Sequence, residues 1–98
     1  MGKYLVLWQM DGSKIPVDPK ERGQGYGKLL ALVKQDFEKG LNIDWGAFVG
    51  EGRGYSIAEG TEVEISAQLQ QYVPFCTFEV HPLMTVSQVS EMIYSLTG

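Results

Sequence analysis

Glu79, Val80 and His81 stand in an extended run, where alternate side chains share a face, so Glu79 and His81 lie together with Thr77 and opposite Cys76, Phe78 and Val80. His81 is the only histidine. Imidazole titrates nearest neutrality, so Glu79 and His81 can be read as a general acid/base pair. The plainer reading is a strand-end histidine at the surface or at an interface. Asp44, beside Trp45, is the third candidate for proton chemistry. One histidine with scattered carboxylates lacks metal-ligand spacing, so no metal site is expected. Trp8, Trp45 and Tyr55 suit the wall of an apolar ligand cavity, where an indole N–H or phenol hydroxyl fixes one polar group. Core or interface packing is the ordinary role of such aromatics, Tyr4 and Phe48 included. Arg53 can fork onto a ligand carboxylate, although it sits with Glu51 in a glycine-rich turn where charges are normally solvated.

Two further features carry less. Gly23-Gln24-Gly25-Tyr26-Gly27 has the composition of a phosphate loop but falls inside a helical pattern, about five residues past the helix cap, where such loops do not occur. It predicts a loosely formed helix start, or one that another group approaches closely. Cys76 is the single cysteine, which rules out an internal disulfide or a paired zinc or redox motif and suits a small buried hydrophobe. No cofactor motif is present.

Composition limits the partners. The net charge is −4, with 12 acidic and 8 basic residues and no basic cluster to neutralise a phosphate backbone, so nucleic acid is not expected. No apolar run approaches the roughly 20 residues that cross a bilayer, and Met1-Gly2-Lys3 leads into a strand rather than a signal peptide. The expected location is cytoplasmic, away from membranes. The 98 residues predict one domain, 1–98, and a chain of that length buries only about 65% of its unfolded surface.

The elements that position these residues follow from pattern. Tyr4 to Met10 is apolar on both faces until Gln9, which predicts a central strand covered on both sides. Asp11 to Lys14 is a turn. Asp18 caps a helix with Pro19 at its first position and Glu21 in the capping pattern; Tyr26, Leu29, Leu30, Val33 and Phe37 form its apolar face and Gly40 ends it. Ile43 to Val49 and Tyr55 to Glu59 read as strands joined by a glycine hairpin. Thr61 with Glu64 opens a second helix that Pro74 closes; Phe75 to Val80 is a strand ended by Pro82; Thr85 with Gln88 opens a third helix striped by Val86, Val89, Met92, Ile93 and Leu96.

The order βαββαβ plus a C-terminal helix predicts an α+β, ferredoxin-like fold, a four-stranded antiparallel sheet with both main helices on one face. The other face leaves members of the set Tyr4, Val6, Trp8, Trp45, Phe48 and Tyr55 exposed, according to strand parity. Such a patch predicts a homodimer whose sheets pack face to face over about 1,600 Å² or more.

This order, with Phe78-Glu79-Val80-His81-Pro82-Leu83 before the last helix and Gly54-Tyr55-Ser56-Ile57-Ala58-Glu59 before the second, resembles the dimeric α/β-barrel members of the ferredoxin-like fold, and most of all their small, uncharacterised stand-alone members. The wider group includes muconolactone isomerase, cofactor-independent monooxygenases, haem-binding dismutases and amino-acid-sensing domains. The resemblance implies a dimer and no single chemistry. Two functions are open: a homodimeric module binding a compact, partly aromatic small molecule, or a cofactor-independent enzyme acting on an aromatic or lactone-like substrate through His81 and Glu79. A cavity lined by His81 or Asp44 would favour the enzyme; solvent exposure of both would favour the binding module.

Overall fold

The computed structural model describes residues 2–98. Its elements are β1 (Gly2–Met10), a 3-10 turn (Gly12–Lys14), α1 (Pro19–Glu38), β2 (Asn42–Ala47), β3 (Arg53–Gly60), α2 (Glu62–Gln70), β4 (Cys76–Leu83) and α3 (Val86–Thr97). The strands form one antiparallel sheet in the order β2-β3-β1-β4, which is the ferredoxin-like arrangement with β1 and β3 central.

Local chemistry sets the ends. The Asp18 carboxylate accepts the Glu21 N–H at 3.0 Å, and both Thr61–Glu64 and Thr85–Gln88 close as reciprocal capping boxes. At the end of α1, Gly40 takes φ +76°, and the N–H groups of Gly40 and Leu41 donate to the carbonyls of Phe37 and Asp36. That is a Schellman stop, and it holds Asp36 in the last turn of the helix.

Three expectations need correction. Pro82 lies within β4 instead of ending it; β4 is an edge strand paired only to β1, where a missing N–H is tolerated. The Gly23, Gly25 and Gly27 stretch is helical, and apart from the adjoining helix backbone and chain neighbours no described atom lies within 4 Å of where a Cβ would stand on any of the three, so no other element presses on that backbone. Of the apolar face expected for α1, only Val33 is buried and Leu29 partly so, while Tyr26, Leu30 and Phe37 remain exposed, because α1 meets the sheet chiefly at β2 and leaves the rest of that face uncovered.

Register decides the parity of β1. Tyr4, Val6, Trp8 and Met10 face the helices, while Lys3, Leu5, Leu7 and Gln9 occupy the open face beside Tyr55 and Ile57 of β3 and Glu79 and His81 of β4. A register shift between Asn42 and Asp44 breaks the alternation of β2 and turns both Asn42 and Trp45 toward the helices. The core is two small clusters: Val6, Ala58 and Ile65 under α2, and Val33, Tyr72 and Cys76 between the helix ends. α3 packs extensively on no other element, and its stripe is bare, with Val86 89% and Leu96 78% exposed. It lengthens the molecule to 61 Å against 25 and 18 Å, and the radius of gyration of 16.2 Å exceeds the roughly 13 Å of a compact chain this size. No described helix is long and apolar enough to cross a membrane.

Candidate functional site

Because α1 stands away from the sheet, a cavity of about 360 Å³ opens between them. Its buried end is bounded by Val6, Val33, Asn42, Ser56, Gln68 and Tyr72, and its exposed end by Tyr26, Ala47, Glu51 and Gly52. Its exposed end opens it to solvent, so it is a cleft that a molecule can enter from outside. The volume falls in the range of small-molecule sites.

The wall on the sheet side is aromatic. Trp8 and Trp45 stack with centroids 5.4 Å apart and planes 8° from parallel. Trp8 is held by its Nε1–H, which donates to the Tyr55 carbonyl at 3.2 Å, so this group orients the ring and is not offered to a ligand. Gly54, paired with Trp8 across β1 and β3, makes the position possible: a Cβ there would meet Trp8 Cζ2 at 2.5 Å and collide with the Gly46 carbonyl oxygen. On the opposite face Gly46 plays the same part for Tyr55.

The inner end of the cavity is polar in an unusual way. Asp36 is 0% exposed. One carboxylate oxygen accepts from the Tyr72 hydroxyl at 2.7 Å and from Gln68 Nε2 at 3.2 Å, and the other accepts from Gln71 Nε2 at 3.2 Å. Gln68 Nε2 also reaches Asn42 Oδ1 at 3.3 Å. Only the amide nitrogen of Gln68 can face an accepting carboxylate, which fixes its flip and leaves Gln68 Oε1 buried without a partner. Burial, and then the bond to Asp36, push the Tyr72 phenol far above its ordinary pKa, so it stays a donor. Burial likewise raises the Cys76 thiol, which lies beside Tyr72 at the cavity wall and is correspondingly unreactive.

The candidates named from sequence divide between the two faces of the sheet. Trp8 and Trp45 line the cavity. Glu79, His81, Asp44, Tyr55 and Arg53 do not; all five lie on or beside the open face. His81 Nε2 is 3.5 Å from Glu79 Oε2, with the side chains 52% and 68% exposed. Asp44 stands on the opposite edge strand, three strand spacings or about 14 Å away, so the two cannot pair within one subunit. Its carboxylate instead accepts from the Tyr55 hydroxyl and the Trp45 N–H, both at 2.9 Å. The bond from Tyr55 to Asp44 raises the phenol pKa, the opposite of what a tyrosine base requires. Arg53 is held by Glu51 at 2.8 Å. No described group of three or more His, Cys, Asp or Glu residues is placed to hold a metal.

Sequence reasoning missed Asp36, Asn42, Gln68 and Gln71. A signal existed for Asp36: it falls on the apolar side of the helix, three residues after Val33 and one before Phe37, and sits in a last turn where the helix dipole disfavours an anion. Nothing marks the glutamines before the fold is known.

A family model described as Domain of unknown function (DUF3303) matches residues 2–97. The chain belongs to this family. No curated protein matches it. The DUF3303 match spans the sheet, the helices that bound the cavity and α3.

Proposed function

We infer that this DUF3303 domain is a homodimeric module that binds a compact, partly aromatic small molecule in the cavity between α1 and the sheet. The observation that carries the reading is the Trp8–Trp45 stack in the wall of a cavity of about 360 Å³ lined mainly by apolar side chains. A flat ring extends that stack and removes apolar surface from water at about 25 cal/mol per Å². The solvent exposure of His81 and the absence of Asp44 from the cavity wall support binding over catalysis there.

Self-association is supported by the apolar centre of the open face, Leu5, Leu7, Tyr55 and Ile57, and by a projecting amphipathic α3 that one copy leaves uncovered. It fits the likeness to dimeric α/β-barrel proteins. A cofactor-independent enzyme is the second reading. It draws on the Glu79–His81 pair and Tyr55 sharing the open face, which facing sheets would enclose together.

A melting screen of small aromatic compounds tests the reading. Ligands that raise the Tm of the wild type should lose their effect in Trp8→Ala and keep it in His81→Ala. The reverse pattern would move the site to the open face. Sedimentation equilibrium at low micromolar concentration should give twice 10.9 kDa; a stable 10.9 kDa species removes the dimer.

A further inference from the structure

The inner end of the cavity gathers negative potential from four sources and positive charge from none. Asp36 is a fully buried carboxylate whose three donors are all neutral groups. It stands in the last turn of α1, where the helix dipole is already negative, and its glutamine partners come from the last turn and C-cap of α2, a second negative helix end. Gln68, only 5% exposed, borders the cavity with an unpartnered carbonyl oxygen. Among the described residues the one charged side chain on the cavity wall is Glu51 at its mouth, whose charge is offset by Arg53 at 2.8 Å, so the field that matters is the one at the inner end. A carboxylate of this kind breaks the rules for helix ends and for buried charge together, and such local conflicts concentrate at functional sites.

We propose that the cavity selects its occupant by charge, admitting neutral and cationic aromatic molecules that carry a hydrogen-bond donor and rejecting aromatic carboxylates. The proposal rests on the binding reading above and narrows its ligand class. Asp36 acts one residue behind the wall: Gln68 and Tyr72 touch both the carboxylate and the cavity, so its field reaches the occupant through a medium that screens poorly. Trp8, Trp45 and Tyr26 line the same space, and aromatic rings attract a cation where it can reach a ring face.

The opposing feature is an adjoining cleft of about 230 Å³, between the first half of α1 and the connection that leads into it, that shares Met10, Tyr26 and Leu29 with the cavity and carries Lys14, Arg22 and Lys28. Arg22 donates to the Val17 carbonyl at 3.0 Å and keeps its charge, and both lysines are solvent-exposed, so salt screens these surface cations far more than it screens the buried Asp36.

Indole, tryptamine and indole-3-acetate present one ring with neutral, cationic and anionic tails, and calorimetric titration of all three separates the outcomes. Tryptamine should bind at least on the order of tenfold more tightly than indole-3-acetate, with indole between them, and the order should hold from low to high salt. Asp36→Asn keeps the size and one accepting oxygen, and should shrink the tryptamine-to-acetate ratio severalfold while leaving indole nearly unchanged. Equal binding of all three, an undiminished ratio in Asp36→Asn, or a preference for the acetate through the lysine cleft overturns the charge selection while leaving the cavity reading intact. Should Asp36→Asn not fold, a ratio that collapses in high salt overturns it on the wild type alone. If indole itself does not bind, the cavity reading falls and the charge selection with it.

Discussion

Replacing Tyr72 by Phe isolates one link in the buried network. The ring stays packed edge-on against Phe78, with centroids 6.1 Å apart and planes at 70°, so no cavity larger than a hydroxyl is made. What is lost is the shortest of the three bonds to Asp36, 2.7 Å from the phenol oxygen. A hydrogen bond to a charged group contributes about 1.5–3 kcal/mol, and its removal leaves one carboxylate oxygen with the Gln68 amide alone. The expected loss is about 2 kcal/mol, or roughly 8–16 °C of Tm for a domain of this length. Urea unfolding followed by far-UV circular dichroism measures it, with Tyr94→Phe on exposed α3 as the control that should stay within about 0.5 kcal/mol. The alkaline limb should change too. A phenol whose folded pKa is raised contributes stability that is fully present below its ordinary pKa and is lost as pH rises above it, so Tyr72→Phe should flatten that decline. A loss under about 0.5 kcal/mol with an unchanged alkaline limb would mean that Asp36 does not depend on Tyr72, and the network described here would be wrong.

Other consequences follow from single positions. Cys76, buried at the cavity wall with its thiol pKa raised, should react with a thiol reagent no faster than the protein opens, and more slowly still with the cavity filled; labelling at the rate of an exposed thiol would contradict its placement. Gly27→Ala, inside α1 with open space where the Cβ would stand, should stabilise by about 0.5–1 kcal/mol in the same urea assay. Destabilisation there would mean that a second subunit or a ligand closes on the glycine stretch. Gly54→Ala should cost at least about 2 kcal/mol and shift tryptophan fluorescence, because the new methyl displaces Trp8.

Much of the architecture was readable from the chain because its signals are local. Asp18, Thr61 and Thr85 cap helices through their own side chains, and Gly40 ends one through its own backbone. The all-apolar β1 announced a central strand. Its parity was marked only by Lys3 and Gln9 at its ends, since the run between them is apolar on both faces, and pairing with β3 and β4 is what turns Trp8 inward and Leu7 outward. The bulge that brings Asn42 and Trp45 to one side of β2 was hidden for the same reason: alternation cannot reveal where alternation fails. Trp8 and Trp45 could be named as cavity walls because large aromatics have few other places to go. Gln68, Gln71 and Tyr72 could not, because their meeting with Asp36 joins the ends of two helices more than 30 residues apart in the chain, and only Asp36, an anion at a helix C-terminus, carried a signal of its own.

The central claim is that the Trp8–Trp45 cavity is where this DUF3303 domain takes up a small aromatic molecule. Titration of indole into isotope-labelled protein, followed by two-dimensional NMR, tests it most directly. The account predicts saturable shifts at both tryptophan side-chain N–H signals and at the backbones of Leu29, Val33, Ser56 and Cys76, with Leu5, Ile57 and His81 unmoved. Saturable shifts confined to Leu5, Ile57 and His81 would contradict it.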